Sequence, residues 1–302
     1  MSLTILKRLL ILTLGLLALL AGGFYAWRYY RAHRVRPQSF DAARAYQDVV
    51  YQTSLGPRTP GSEAHELVIA YFRSELQKAN WQVDIQIAKV NGKIIKNVIA
   101  RRSDVPPKII LGAHYDSRLM ADKDPDPKKT RDPVPGANDG ASGAAVLLEL
   151  GRVLPVNSVP VWLVFFDAED QGGIPGWDEW SLGASAFVNE FALKPRAVII
   201  VDMVGDPNLN ILQEKQSSPR LIAEIWDAAK TLGFENYFLP IQKYTITDDH
   251  VPFLRAGIPA VDIIDIDYHY WHTSHDTADK VSPESLRIVG ATLLYWIGQQ
   301  GR

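Results

Sequence analysis

Cysteine is missing from all 302 residues, so this chain has no disulfide and no thiolate ligand or nucleophile. Any metal it binds must be held by histidine, aspartate or glutamate. An excess of either charge is missing too: 32 Lys and Arg stand against 34 Asp and Glu, for a formal net charge of −2. That balance leaves no electrostatic footprint for nucleic acid, and no nucleic-acid partner is expected. No internal repeat is apparent. What the chain does have is 47% hydrophobic residues, enough for one large α/β domain with a full core or at most two small ones. Its 8 Trp and 12 Tyr fit an ordinary core plus an aromatic-lined pocket.

Charge is also absent from Leu9 to Trp27, a run preceded by Lys7 and Arg8 and followed by Arg28, Arg31, Arg34 and Arg36. Its length suits a bilayer-spanning helix, which needs about 20 apolar residues. Ala21-Gly22-Gly23 offers small residues where a signal peptidase could cut, so a cleavable signal is the rival. Basic clusters on both flanks leave the positive-inside rule nearly silent on orientation. Residues 1–36 are therefore expected to be one hydrophobic helix, an anchor or signal segment, with a basic linker. Residues 37–302 are expected to form the globular domain, outside the cytoplasm, either membrane-tethered or exported.

Beyond Asp41, segments of two periods alternate. Ser62 to Ala79 has apolar residues at helical spacing with Ser62 as N-cap. Val83 to Ile87 alternates like a strand and can pair with Ile94 to Ala100 across an Asn91-Gly92 turn. Short, nearly continuous apolar runs follow at Lys108–Ala113, Val159–Phe166, Arg196–Val201 and Ile258–Ile264, as in strands buried on both faces of a parallel sheet. Helical stretches fall at Ala141–Leu154, Leu182–Phe191, Pro219–Leu232 and Pro283–Ile297. The expected fold is α/β, three layers around a central, mixed, mostly parallel sheet. Ala121 to Pro135, rich in Asp, Lys and Pro, is expected to be an exposed loop.

Polar residues punctuate the strand ends. His114 and Asp116 follow one run, Glu169 and Asp170 another, and Asp202 ends a third. The crevice outside the carboxyl ends of such strands is where ligands bind. Acids and imidazoles delivered there can hold zinc, which accepts histidine nitrogen and carboxylate oxygen and keeps one position open in a catalytic site. Each residue has a bland alternative when taken alone. Asp139 could simply cap the helix beginning near Ala141, Asp202 could be a hydrogen-bonded buried acid, and His272 a satisfied half-buried histidine.

The ordered segments GPRTPGS, GAHYDS, GANDGASGAAVLLEL, FFDAED, VDMVGD, DDHVPFLRAGIP and YWHTSHDT resemble the M28 zinc peptidase family, which includes the glutaminyl cyclases. The likeness spans nearly everything from Gly56 to Leu294 and implies a zinc aminopeptidase-like domain with zinc at the carboxyl edge of its sheet. It implies Asp139, Asp170 and His272 as metal ligands, Glu169 as the acid/base, and His114 with Asp202 as additional ligands where a second metal is used. The family most often has Glu at the position of Asp170, one methylene longer. Substrates would be peptide or protein N-termini.

Two activities fit that resemblance. A two-zinc aminopeptidase would use Glu169 as general base on a bridging hydroxide. A one-zinc glutaminyl cyclase would use Glu169 to move a proton from the substrate amine to the leaving amide nitrogen, with Asp202 holding the acid network. Trp177, Trp271, the WDEWSLGAS stretch and Asp248 in DDH are similar to features of the cyclases, with Trp177, Asp248 and Trp271 implied at the substrate pocket. The cyclase is the preferred reading and the aminopeptidase the alternative. A non-catalytic ectodomain is a distant third, because such relatives lose ligands that this chain keeps.

Overall fold

The structure is a computed structural model and describes residues 39–301. The hydrophobic run Leu9–Trp27, and with it the expected N-terminal helix, lies outside the described residues. Among the described residues, no helix is long and apolar enough to cross a membrane.

Helix α1 (Ala42–Ser54) starts where the Asp41 side chain accepts from the Arg44 amide, and α2 (Glu63–Lys78) where Ser62 accepts from that of His65. Strands β1 (Gln82–Val90) and β2 (Lys93–Arg101) form an antiparallel hairpin closed by Val90 opposite Lys93. Its two turn residues, Asn91 and Gly92, both have positive φ, at 49° and 80°, as the tight hairpin turn of right-handed twist demands. The next elements are β3 (Ile109–His114), α3 (Ala141–Val153), β4 (Val161–Phe166), α4 (Leu182–Glu190) and β5 (Ala197–Asp202). They are followed by β6 (Ile211–Gln213), α5 (Pro219–Thr231), β7 (Phe238–Gln242), α6 (His250–Arg255), β8 (Ala260–Ile264) and α7 (Pro283–Gln299).

Six strands make one sheet in the order β1-β2-β4-β3-β5-β8. β4, β3, β5 and β8 run parallel, and β2 joins β4 antiparallel. These four parallel strands are buried along their whole length, which is why they read as unbroken apolar runs. Their side chains alternate between two cores. Ile109, Leu111, Ile199, Val201, Val261 and Ile263 pack under α1, α2, α3, α5 and α7. Ile110, Val164, Phe166, Val198 and Ile200 pack under α4 and α6. The result is three layers, with β6 and β7 as a small separate parallel pair.

Close approach of α3 to the sheet sets the site. A Cβ at Gly143 would overlap the Val201 carbonyl oxygen, so only glycine lets the helix settle against β5. The turn before α3 thereby stands at the carboxyl edge of β3 and β5.

Candidate active site

β3 ends in His114, β5 ends in Asp202, and the turn after β4 carries Glu169 and Asp170. Asp139 sits in the turn before α3, Asp248 just before α6, and His272 in the segment after β8. All are buried. Gly140, not Asp139, is the N-cap of α3, and no side chain caps that helix. The Asp139 carboxylate is thus free of the capping duty its position allowed.

Two donor sets meet on Asp139. His272 Nε2 lies 3.0 Å from Asp170 Oδ1 and 3.8 Å from Asp139 Oδ2. On the other side, His114 Nε2 lies 3.1 Å from Asp139 Oδ1 and 3.0 Å from Asp202 Oδ1. The sets differ in how far they satisfy themselves. His114 and Asp202 form a hydrogen bond with each other. Asp139 Oδ2, Asp170 Oδ2 and His272 Nε2 are buried with no hydrogen-bond partner. Buried polar atoms left in that state cost free energy unless something else meets them. Two ligand atoms on a tetrahedral zinc are roughly 3.3 Å apart, given bonds of about 2.0–2.2 Å. Asp139, Asp170 and His272 therefore fit zinc in donor type, spacing and unmet demand.

Local backbone supports this edge at a cost. Ala168, Met203 and His272 have φ of 53°, 46° and 57°, each beside or at a functional residue. Strain of this kind costs about 1–3 kcal/mol per residue and persists only where the surroundings enforce it. Two carboxylates brace the neighbouring turns. Asp116 accepts from the amides of Glu169 and Asp170 at 3.1 and 3.3 Å and from the Gln171 side chain at 2.9 Å. Asp276 accepts from the amides of Asn138 and Asp139 at 2.8 and 3.0 Å and from the Tyr268 hydroxyl at 2.8 Å. Arg118 donates to the Asp170 carbonyl at 2.9 Å and pairs with Asp122, whose Oδ1 faces His272 Nδ1 at 3.3 Å.

The gathered acids raise each other's proton affinity. Burial, then the neighbouring Asp139, pushes Asp170 up to about 6, against the opposing pull of His272. Burial pushes Asp202 up to about 7, with His114 opposing and Asp248 adding. Glu169 rises well above the usual carboxylate range, through burial and the charges of Asp248 and Asp249, with His114 opposing. A cation among these carboxylates would relieve that crowding. The Ser181 hydroxyl donates to Glu169 Oε1 at 3.3 Å. Behind Asp248, His250 is bracketed by Glu214 Oε2 at 3.3 Å and Asp262 Oδ2 at 3.6 Å.

A pocket of about 40 Å³ opens onto Asp139, Glu169, Asp170 and His272, walled by Trp180 and Trp271. Trp177 was expected on that wall and is not there. Gly173 and Gly176, at φ 76° and 82°, turn the chain so that Trp177 bridges back to Ile174 and packs on Ile95, Ala168 and Leu182. Lys93 Nζ lies 4.3 Å from its ring centroid. Trp180, three residues on, takes the wall instead, stacked on His272 at 6.0 Å between centroids and 14° between planes. Trp271 and Asp248 do line the pocket. No periodicity governs a turn, so the WDEWSLGAS stretch does not say which of its two tryptophans faces the pocket, and Arg118 carries no mark in the sequence. Asp122 lies in the segment expected to be a plain exposed loop, yet it reaches His272.

Solved structures share this architecture. A glutaminyl cyclase from Bacteroides thetaiotaomicron bound to N-acetylhistamine superposes with a TM-score of 0.81 and 34% identity, over 87% of this chain and 99% of that one. A Zn-dependent exopeptidase from Parabacteroides distasonis gives 0.82 and 33%, over 86% and 99%. Among curated proteins, the glutaminyl-peptide cyclotransferase of Drosophila melanogaster is 24% identical over 281 residues, covering 78% of this chain and 75% of its own. The sequence profile of peptidase family M28 matches residues 97–297, a span holding both donor sets and Glu169. With more than half of the chain matched and its donors gathered at the sheet edge, this protein belongs to peptidase family M28.

Proposed function

We propose that this protein is a glutaminyl-peptide cyclotransferase, which closes the N-terminal glutamine of a peptide into pyroglutamate and releases ammonia. The observation that carries this reading is the pocket in which Glu169 stands beside the unsatisfied atoms of Asp139, Asp170 and His272, between Trp180 and Trp271. The two indoles offer flat apolar walls to a folded-back side chain, in a reaction that consumes no water.

Asp139, Asp170 and His272 would hold one zinc ion, which when bound supplies Lewis-acid polarisation of the γ-amide carbonyl. The substrate amine attacks its own γ-carbonyl carbon, a C–N bond forms, and the bond to the amide nitrogen breaks. Glu169 accepts a proton from the attacking amine and returns it to the departing nitrogen, which leaves as ammonia. Burial and Asp248 raise the proton affinity of Glu169, which suits a carboxyl group that must both take and give. Asp202, tied to His114 by a hydrogen bond, serves as a fixed neighbour of that acid rather than as a ligand. Trp180, Trp271 and Asp248 bound the substrate.

The cluster of His114, Asp139 and Asp202 favours one other reading, a two-zinc aminopeptidase, because its donor atoms lie close enough to hold a second ion. Incubating the zinc-loaded protein with Gln-leading and Leu-leading peptides separates the two. Ammonia and a pyroglutamyl product are expected from the first. Free leucine from the second, without cyclisation of the first, would replace the cyclase by the peptidase. The uncharged run Leu9–Trp27 and its basic flanks support a catalytic domain working outside the cytoplasm, tethered or exported.

A further inference from the structure

Beside the pocket lies a wider groove of about 320 Å³, bounded by the segment 178–185 and by α6. The two spaces have Trp180, Thr247 and Asp248 in common as walls, so a peptide with its first residue in the pocket continues into the groove. Asp248 is 2% exposed and its Oδ2 has no hydrogen-bond partner, so a buried, unmet acceptor stands at the junction. Asp178 and Glu179 line the groove directly before Trp180 in the chain and are exposed. Among the described residues neither has an ion-pair or hydrogen-bond partner, so both carboxylates are available to a ligand in the groove. Arg255 closes α6 on the same groove and, among the described residues, is likewise without an ion-pair partner.

An extended peptide advances about 3.3 Å per residue with side chains alternating in direction. The second residue of a substrate therefore emerges at the Trp180 rim, beside the two free carboxylates. Arg255, at the end of α6, lines the groove but not the pocket, and could meet a carbonyl or carboxylate of the peptide.

We propose that this groove is the subsite for the residues following the N-terminal glutamine, and that Asp178 and Glu179 select a basic side chain at the second position. The assignment rests on the cyclase reading and adds a substrate class to it: peptides that begin Gln-Arg or Gln-Lys. Exposed charge pairs act through a high dielectric and are screened by salt, so each carboxylate changes selectivity by about two- to five-fold.

The test measures ammonia release by the zinc-loaded protein from peptides that begin Gln-Arg, Gln-Ala and Gln-Glu. At low salt kcat/KM is expected to fall in that order, with a ratio of about five- to tenfold between the first and the last. Raising the salt, or substituting Asp178→Asn together with Glu179→Gln, should draw that ratio toward one. Both side chains are exposed, so the double variant is expected to fold, and the salt series on the unaltered protein gives a readout independent of it. Equal rates on all three peptides, or a ratio undiminished in the variant, would overturn the subsite. Failure to cyclise any Gln-leading peptide is a separate result that removes the cyclase reading and the subsite with it.

Discussion

Two buried polar clusters of this protein differ in one respect. Between α1 and α3, Asp48 accepts from Arg152 Nη2 at 2.9 Å and from the Tyr71 hydroxyl at 2.5 Å. Glu149 accepts from Arg44 at 2.7 and 2.8 Å and from the Asp41 amide at 3.0 Å. Arg152 also pairs with Glu75 at 2.8 Å. Every carboxylate oxygen of Asp48 and Glu149 has its donor, and the cluster joins helices. At the sheet edge, Asp139, Asp170 and His272 are buried just as deeply and leave atoms unmet. The completed network here is a structural joint, and the incomplete one at the sheet edge offers the donors that a metal ion would meet.

That contrast can be broken most severely at Glu169. Glu169→Gln keeps the size of the side chain and removes its capacity to carry a proton. Turnover should fall by roughly 10²–10⁴-fold while zinc content stays as in the unaltered protein. Surviving activity would mean that the proton travels by another group.

Next in size is the difference between the two donor sets. Asp170→Asn should strip zinc from the purified protein, whereas His114→Ala should leave the zinc content at one ion per chain, as elemental analysis can measure. Two ions in the unaltered protein, with one lost in His114→Ala, would return His114 and Asp202 to the ligand set.

The completed cluster predicts the opposite pattern. Arg152→Met leaves Asp48 buried without its cation, while Glu149 keeps Arg44, a loss of about 3 kcal/mol in unfolding stability. Zinc affinity should be unchanged. A variant as stable as the parent would show that these pairs contribute little.

The smallest effect is expected in acid. Burial opposes ionisation of Glu214, yet the His250 ring, the amide of Gln216 and the group donated by Ser217 hold it down to about 2. Its carboxylate is therefore favoured in the fold over the unfolded chain. The stability it contributes is present in full above about pH 4.5, the ordinary glutamate value, and disappears as pH falls toward 2. Thermal unfolding between pH 5 and 2.5 should be less pH-sensitive in Glu214→Gln, by a few degrees. An identical acid slope would remove Glu214 from the account.

Much of the fold was legible because burial on both faces leaves so plain a mark. The four parallel strands appear as apolar runs, and the hairpin as alternation around Asn91-Gly92. What escaped were short elements with weak patterns. β6 has three residues and β7 has mostly exposed ones, so neither builds a period. α6 is one and a half turns that begin inside the DDH segment. α1 went unassigned although its Asp41 cap was present. At the site, the residue types and their order were legible, but Trp177 and Trp180 were not separable. Both lie in one turn, and which indole faces the pocket depends on the φ of Gly173 and Gly176.

By itself the sequence determined the chemistry on offer: no thiol, acids and imidazoles at strand ends, and an order of segments that resembles one family. Only the tertiary structure decided which of those groups satisfy each other and which do not. Hydrogen-bond completeness depends on ångström-scale distances between residues more than a hundred positions apart, such as Asp170 and His272, and no local pattern encodes them. The same folding brought Asp178, Glu179 and Arg255 to one groove beside the pocket, a meeting that their positions along the chain do not announce.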